Sequence, residues 1–457
     1  MIPRIRHSAQ RFLQRFLGHP LLQRVMRNTG YLFSAQTISA ALSMGQGILA
    51  ARLLGVEGAG LVGIITQFAS NINQLTSFRM GELVVSYVGE FTAKGKHQEA
   101  SAVFKSAALT EIIGSVLAYG LIVLLAPLGA RIFAHRPEMV GIITLYGLSV
   151  LGNLTVESAT GLLQFFDRFR TLAIITVGQS LLTMLLIARA YQTSGTIEDV
   201  VLAYLAGKVV LGASVSILAW IEARRQWGAG WWRVPVLSLR ARWRDLMRFG
   251  ISTNLSGTIK LATRDSEMLW LGAFSTPLQV GYYKIAKAIV NILMMPITPL
   301  ISTSYRELAR EVANRQWANV RYLLRSGTIL AAVWTVPAAA GLVIFGRWVV
   351  SLYGIVFLPI SYESMLILLV GVIAANILFW NQLILLPLGM PEYPTKVQFL
   401  VAIGKIVGTI LLVPQWGANA MAVLFSGYLL FTSLILVGKS LREMRRLELQ
   451  PAIPTGD

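Results

Sequence analysis

Cysteine is absent from this chain, which excludes disulfide frameworks, thiolate metal sites and cysteine nucleophiles. Histidine is scarce, and the four present, His7, His19, His97 and His135, are scattered outside the apolar runs, so no histidine metal site is expected. Charge is scarce too: 13% of the residues are charged and 55% hydrophobic, with a mean hydropathy of +0.63, too apolar for a water-soluble globule of 457 residues. The solvent is therefore lipid, and the chain reads as one integral membrane unit rather than a string of soluble domains. No Ser-His-Asp set, metal cluster or Walker A loop occurs, so an ATPase or hydrolase has no support and no cofactor is expected. The literal G-x-G-x-x-G of Gly58 to Gly63 joins two apolar runs and follows no strand; a tight turn is expected there, not a nucleotide site. Asn153-Leu154-Thr155 and Asn254-Leu255-Ser256 match sequons but fall inside spans, where no glycan can be added.

What is present is a succession of apolar runs long enough to cross a bilayer. They lie near 28–54, 61–88, 105–126, 141–164, 171–191 and 198–221, then near 249–273, 281–303, 323–345, 363–386, 395–413 and 417–438. The expected fold is an all-α polytopic membrane protein of about twelve transmembrane helices in two six-helix lobes, 28–221 and 249–438. The net charge of +19 would suggest nucleic acid in a soluble chain, but its location here points to membrane orientation. Arg4, Arg6, Arg11, Arg15, Arg24 and Arg27 precede the first span with no acid among them. This leader, 1–27, has no cleavable signal pattern, and Phe12, Phe16, Leu17, Leu21 and Val25 are spaced to let it lie on an anionic leaflet. Alternate connections are basic: Lys94 and Lys96, Arg168 and Arg170, a run from Arg224 to Arg248, Arg306 to Arg321, and the tail from Lys439 onward, 439–457. The opposite turns hold chiefly Arg131, Arg136 and Arg347, which places both termini in the cytoplasm. The basic linker 222–248, with Trp227, Trp231, Trp232 and Trp243, reads as a helix resting at the interface.

The halves echo each other. Leu54-Gly55 followed by Gly60 recurs as Leu271-Gly272 followed by Gly281, and the loop Lys94 to Ser106 matches Asn314 to Ser326 in its basic start and basic-Ser ending. An even number of spans per half predicts parallel repeats related by an axis along the membrane normal, with a cavity between the lobes.

Charges inside the spans carry the functional reading. Lys260, Arg264, Asp265 and Glu267 fall near the middle of the seventh run, at ~2.5–3.5 kcal/mol each if exposed to lipid. At about 100° per residue, Thr253, Gly257, Lys260, Arg264 and Glu267 share one arc, with Asp265 to the side. Lys284, Lys287, Asn291 and Thr298 share a face of the eighth run, where Pro296 and Pro299 mark a bend. Softer stripes occur in the first two runs, Gln36, Ser39, Ser43 and Gln46, then Gln67, Asn71, Gln74 and Glu82. The intramembrane bases Arg79, Lys208, Lys260, Arg264, Lys284, Lys287 and Lys405 outnumber the acids Glu82, Glu111, Glu157, Asp265 and Glu267. Pairing at helical spacing, Lys260 or Arg264 with Glu267, would neutralise some of them. The excess of bases calls for a counter-ion, and an anionic substrate group such as phosphate supplies one. The substrate-binding candidates are Arg79, Lys260, Arg264, Lys284, Lys287 and Lys405, the last inside a GxxxG of the eleventh run, and the candidates for ion coupling are Asp265 and Glu267.

The chain resembles the bacterial polysaccharide (oligosaccharide) flippases, Wzx-like members of the multidrug/oligosaccharidyl-lipid/polysaccharide exporter superfamily. The resemblance rests on Arg52 to Gly60 (RLLGVEGAG), Ala93 to Ala100 (AKGKHQEA) and Gly161 to Arg170 (GLLQFFDRFR) in the first half. In the second it rests on Val280 to Ala286 (VGYYKIA), Tyr305 to Ala309 (YRELA) and Trp416 to Ala420 (WGANA). It implies a V-shaped, MATE-like arrangement of two lobes in the bacterial inner membrane. It also implies alternating-access transfer of an undecaprenyl-diphosphate-linked oligosaccharide, a polysaccharide or O-antigen repeat unit, with a cationic lumen. Lys284 fits best by motif, because a base commonly follows the Gly-x-Tyr start of that span. The partners implied are that lipid-linked saccharide, membrane lipid, and a polysaccharide polymerase with its assembly proteins; nucleic acid is not among them. Lipid II flippases of the superfamily usually carry two further spans, absent here. The alternatives are a cation-coupled multidrug efflux pump of the same fold, for which an acidic cavity with an aromatic cage is expected, and a membrane glycosyltransferase or ligase acting on lipid-linked sugars, for which a large outer loop is expected. A scaffold for an assembly complex would leave the intramembrane bases unexplained.

Overall fold

A computed structural model of the chain describes residues 20–449; the leader's residues 1–19 and the tail's residues 450–457 lie outside the described residues. Among the described residues there are fourteen α-helices and no strand. In chain order they are α1 (Pro20–Thr76), α2 (Met80–Ala93), α3 (His97–Ile132), α4 (Val140–Gly152), α5 (Val156–Phe165), α6 (Phe169–Gln192) and α7 (Ile197–Trp227). The second half adds α8 (Trp243–Lys260), α9 (Glu267–Phe274), α10 (Pro277–Asn291), α11 (Ile297–Ala313), α12 (Trp317–Ser351), α13 (Leu358–Ile377) and α14 (Tyr393–Leu449).

Eight stretches are long and apolar enough to cross a membrane. Two of them hold two crossings each. Residues 30–93 are broken at Gly55, φ +67°, and residues 393–449 at Gly417, φ +52°, conformations that glycine reaches without a steric penalty. The rods α8–α9 and α10–α11, charged and interrupted, supply the remainder, so about twelve spans are present. Pro296 does mark a bend: a 3₁₀ turn over Ile292–Met294 separates α10 from α11.

Two compact units form. The first is built from the segment ending at Gln46, Ile72–Leu124 and Thr144–Gly257; the second from Gly47–Asn71, Leu125–Ile143 and the chain from Thr258 onward. The core of the first collects Leu83, Val88, Phe104, Leu162, Ala219 and Trp231. Here the linker differs from expectation. α7 continues to Trp227, two 3₁₀ turns follow (Trp231–Arg233 and Val236–Arg242), and Trp231 is buried against Phe104, 5.4 Å between ring centres, instead of lying on an interface. The indole offers more apolar area to that core than a surface turn could cover. Trp232 and Trp243 remain about half exposed.

Breaks in the first unit are closed by side chains from neighbouring helices. Arg79 adopts φ +50° between α1 and α2, and Asn254 of α8 donates to the carbonyls of Leu75 (2.9 Å) and Ser77 (2.6 Å) beside it. Glu111 of α3 accepts the backbone N–H groups of Glu157 (2.7 Å) and Ser158 (3.0 Å), capping α5 where α4 has ended. Glu157 in turn accepts from Ser77 (2.9 Å), and both carboxylates line, with Lys208, a cavity of about 180 Å³. The stripe on the first run is interhelical: Gln46 donates to the Ser180 carbonyl at 2.8 Å.

The repeat is real in its local geometry. Gly95 (φ +71°) and Arg315 (φ +53°) occupy the same left-handed place before α3 and α12. In each loop the following residue donates five back, Lys96 to Phe91 and Gln316 to Glu311, both at 2.9 Å, as in a Schellman turn. Gly60 and Gly281 also correspond, and within the second unit they meet. A Cβ on Gly60 would collide with the Pro277 carbonyl and lie 2.8 Å from the Gly281 nitrogen, and one on Gly281 would collide with the Val56 carbonyl. Gly272 sits against the Phe133 carbonyl, whose neighbour His135 reaches the Gly272 carbonyl at 2.8 Å. The run Gly58 to Gly63 is therefore helical, with the turn confined to Gly55; its glycines serve close approach. Of the GxxxG pair, Gly408 abuts Leu424 and Gly404 faces nothing. Replacing Gly281 with Val should cost about 1–3 kcal/mol through overpacking, read as a lowered Tm in detergent; an unchanged Tm would mean that the seam is not packed backbone to backbone.

Candidate functional site

The second unit gathers most of the charge read from the spans. Between α8 and α9 the chain makes one π turn, Leu261–Asp265, and Ser266 closes it by donating from Oγ to the Leu261 carbonyl at 2.8 Å. Such a turn widens the helix and leaves carbonyls without their usual partner. The second half of α1 supplies one: Gln67 Nε2 donates to the Asp265 carbonyl (2.7 Å) and to Asn71 Oδ1 (2.6 Å), while Asn71 Nδ2 donates to Ser266 Oγ (3.0 Å). The stripe Gln67–Asn71 thus braces the charged segment.

The π turn also overturns the single arc expected from Thr253 to Glu267, because the 100° step does not run through it. Lys260 ends α8 and is exposed; Arg264 and Asp265 are half-buried in the turn; Glu267 opens α9 fully buried, with 0% of its surface accessible. Glu267 pairs with neither Lys260 nor Arg264. Its Oε2 accepts from Lys287 of α10 and its Oε1 from Lys405 of α14, the latter at 2.7 Å. Lys405 is 7% exposed in its side chain and Lys287 18%. Both ammonium groups lie 5.2 Å from the centre of the Phe425 ring, with Tyr428 5.4 Å from Lys405 and Tyr283 5.9 Å from Lys287. Rings at this range contribute their negative faces to cations already desolvated. One carboxylate is shared by two lysines, each of its oxygens held by a tethered cation, and Asp265 of the π turn adds a second negative charge that attracts Lys405.

Lys284 stands one turn earlier on α10. Its Nζ donates to the Ala59 carbonyl at 3.1 Å, and its stem lies against Gly63, where a Cβ would sit 3.0 Å from Cδ. Among the described residues neither Lys284 nor Arg264 has an ion pair. Arg79, by contrast, belongs to the first unit, is exposed, and pairs with Glu82 at 3.1 Å. Composition did not single out Phe425, Tyr428 or Tyr283. The first two stand three apart on one face of α14, and the third directly precedes Lys284, so helical spacing from a known lysine was the available signal.

Long apolar rods, local breaks and charges held within them define an integral membrane carrier fold, and solved structures agree. A multidrug resistance MATE family transporter of the MOP superfamily, in an inward-facing conformation, superposes with a TM-score of 0.74 at 14% identity, over 91% of this chain and 96% of that one. Lipid II flippase MurJ, inward closed, gives 0.67 at 13% over 92% and 90%. A MOP superfamily transporter from Pyrococcus furiosus gives 0.62 at 12% over 96% and 99%. These relatives by fold are transporters and a flippase rather than enzymes. The family model described as polysaccharide biosynthesis protein matches residues 25–305, more than half of the chain, and the chain belongs to that family. The curated Teichuronic acid biosynthesis protein TuaB of Bacillus subtilis (strain 168) is 26% identical over 191 residues, 42% of this chain and 38% of that protein, so the matched region spans well under half of that relative.

Removing Glu267 alone strands two buried cations. Glu267→Gln should therefore cost about 3–5 kcal/mol, and Lys405→Met in the same chain should restore a large part of it, measured by chemical denaturation in detergent. Equal stability of E267Q and wild type would disprove the pairing.

Proposed function

We propose that this chain translocates a polyprenyl-diphosphate-linked oligosaccharide, a polysaccharide or O-antigen repeat unit, across the bacterial inner membrane by alternating access, with both termini cytoplasmic. The observation that carries the reading is the surplus of cations in the second unit. Lys284 and Arg264 have no carboxylate partner among the described residues, and Glu267 divides its charge between two ammonium groups. Charges sequestered in a membrane protein are retained where something pairs with them, and a diphosphate offers the matching charge with several acceptor oxygens. Family membership supports a saccharide cargo, as do the names of two relatives, a teichuronic acid biosynthesis protein and a lipid II flippase.

On this reading Arg264 and Lys284 hold the diphosphate, Lys260, exposed at the end of α8, draws it in, and the polyprenyl tail stays in lipid. The interrupted α10–α11 rod takes up the movement that alternating access requires. A polymerase and its assembly proteins are the expected consumers. A carrier of organic cations is disfavoured by the same cluster, since the one fully buried carboxylate and its aromatic neighbours are already occupied by lysines. The test is flipping of a labelled undecaprenyl-diphosphate oligosaccharide in reconstituted vesicles. Arg264→Gln with Lys284→Gln should slow it at least about tenfold, the equivalent of one charge-assisted hydrogen bond; wild-type rates in that variant would refute recognition by charge.

A further inference from the structure

The lysines on Glu267 are not equivalent, and their difference suggests how the site passes from empty to loaded. Lys405 is the deeper of the two, lies between Phe425 and Tyr428, and is bound to Oε1; Lys287 is more than twice as accessible and is bound to Oε2. Lys287 is also on α10, one turn beyond Lys284, so the two ammonium groups share a helix face.

We propose that Glu267 is a stored counter-ion for Lys287: without cargo it holds that lysine, and an incoming phosphate group takes the lysine from it, leaving Glu267 neutralised by Lys405. The inference rests on the flippase reading and assigns Glu267 and Lys405 as positioning residues that do not touch the cargo. The charge balance is the physical reason. A buried carboxylate with a single lysine could not release it without being left bare, which is strongly unfavourable. With two lysines on it, Glu267 keeps Lys405, which Asp265 also attracts, when the more exposed Lys287 leaves. The exchange thereby ends in a Glu267–Lys405 pair and a phosphate–Lys287 pair, so neither Glu267 nor Lys287 is left bare in the loaded state.

This makes a sharp statement about a double-mutant cycle, because Lys405 acts on the cargo only through Glu267. The measurement is binding of farnesyl diphosphate to the purified full chain in detergent by titration calorimetry. Glu267→Gln frees Lys287 and should tighten binding at least about fivefold, the low end of coupling between interacting sites. Lys405→Met alone leaves Lys287 as the only partner of Glu267 and should weaken binding by a similar factor. In the E267Q background, K405M should have no effect, and E267Q/K405M, which keeps the net charge of the cluster, remains usable if E267Q alone folds poorly: it should bind more tightly than wild type. Weaker binding on K405M in both backgrounds would overturn the proposal by making Lys405 a direct ligand, as would E267Q/K405M binding no more tightly than wild type. Binding of farnesyl diphosphate by wild type that is lost in Lys284→Gln but untouched by any change at Glu267 would overturn the exchange while leaving the flippase reading standing. No binding by any form would overturn both.

Discussion

Hydrocarbon offers a backbone carbonyl or a charge no water to turn to, and several irregularities among the described residues are met by side chains that answer them. The gap between α1 and α2 is answered by Asn254, and that between α4 and α5 by Glu111. The π turn is answered by Gln67, Asn71 and Ser266. The 3₁₀ turn after α10 is answered by Asn376, which donates to the Leu293 carbonyl at 2.9 Å, with Trp334 at 3.3 Å. Polar residues in these spans thus divide into two populations, those that repair helices and those that carry charge.

That division narrows the functional question. Glu111 and Glu157 count among the intramembrane acids by sequence position, yet Glu111 is engaged with two backbone N–H groups and a serine hydroxyl, the work of a helix cap. Glu267 is engaged twice over. Arg79 has found Glu82, and Arg168 has found Glu222 at 2.9 Å. After these pairings the cations of the π turn and of α10 stand out, and both belong to elements that are interrupted, where a charged segment can be reoriented without bending an intact helix.

Hydrophobicity made the spans legible, since runs of twenty apolar residues admit little else, and the echo between the halves was legible at the loops, where Lys94-Gly95 and Asn314-Arg315 form the same turn. The identity of the charged residues was legible too. Their pairing was not. The sequence places Lys260 and Arg264 near Glu267, but a π turn depends on contacts with Gln67 and Asn71, almost two hundred positions away, and no local propensity specifies it. The approach of Lys405 across 138 positions is likewise a tertiary fact. Trp231 was misread for a related reason: amphipathic aromatics suit an interface and a core equally, and only the presence of Phe104 decides.

The contact between Gly60 and Gly281 has one more consequence. Two glycines at corresponding places in the two halves of the sequence touch each other, so a side chain added at either one would strike the backbone of the other's segment. With no side chains interposed, the joint holds by the fit of peptide against peptide. Such a joint has no rotamer to lock and no apolar side chain to strip from its pocket. It resembles a pair of ground faces more than a latch, firm because the two backbones are in register.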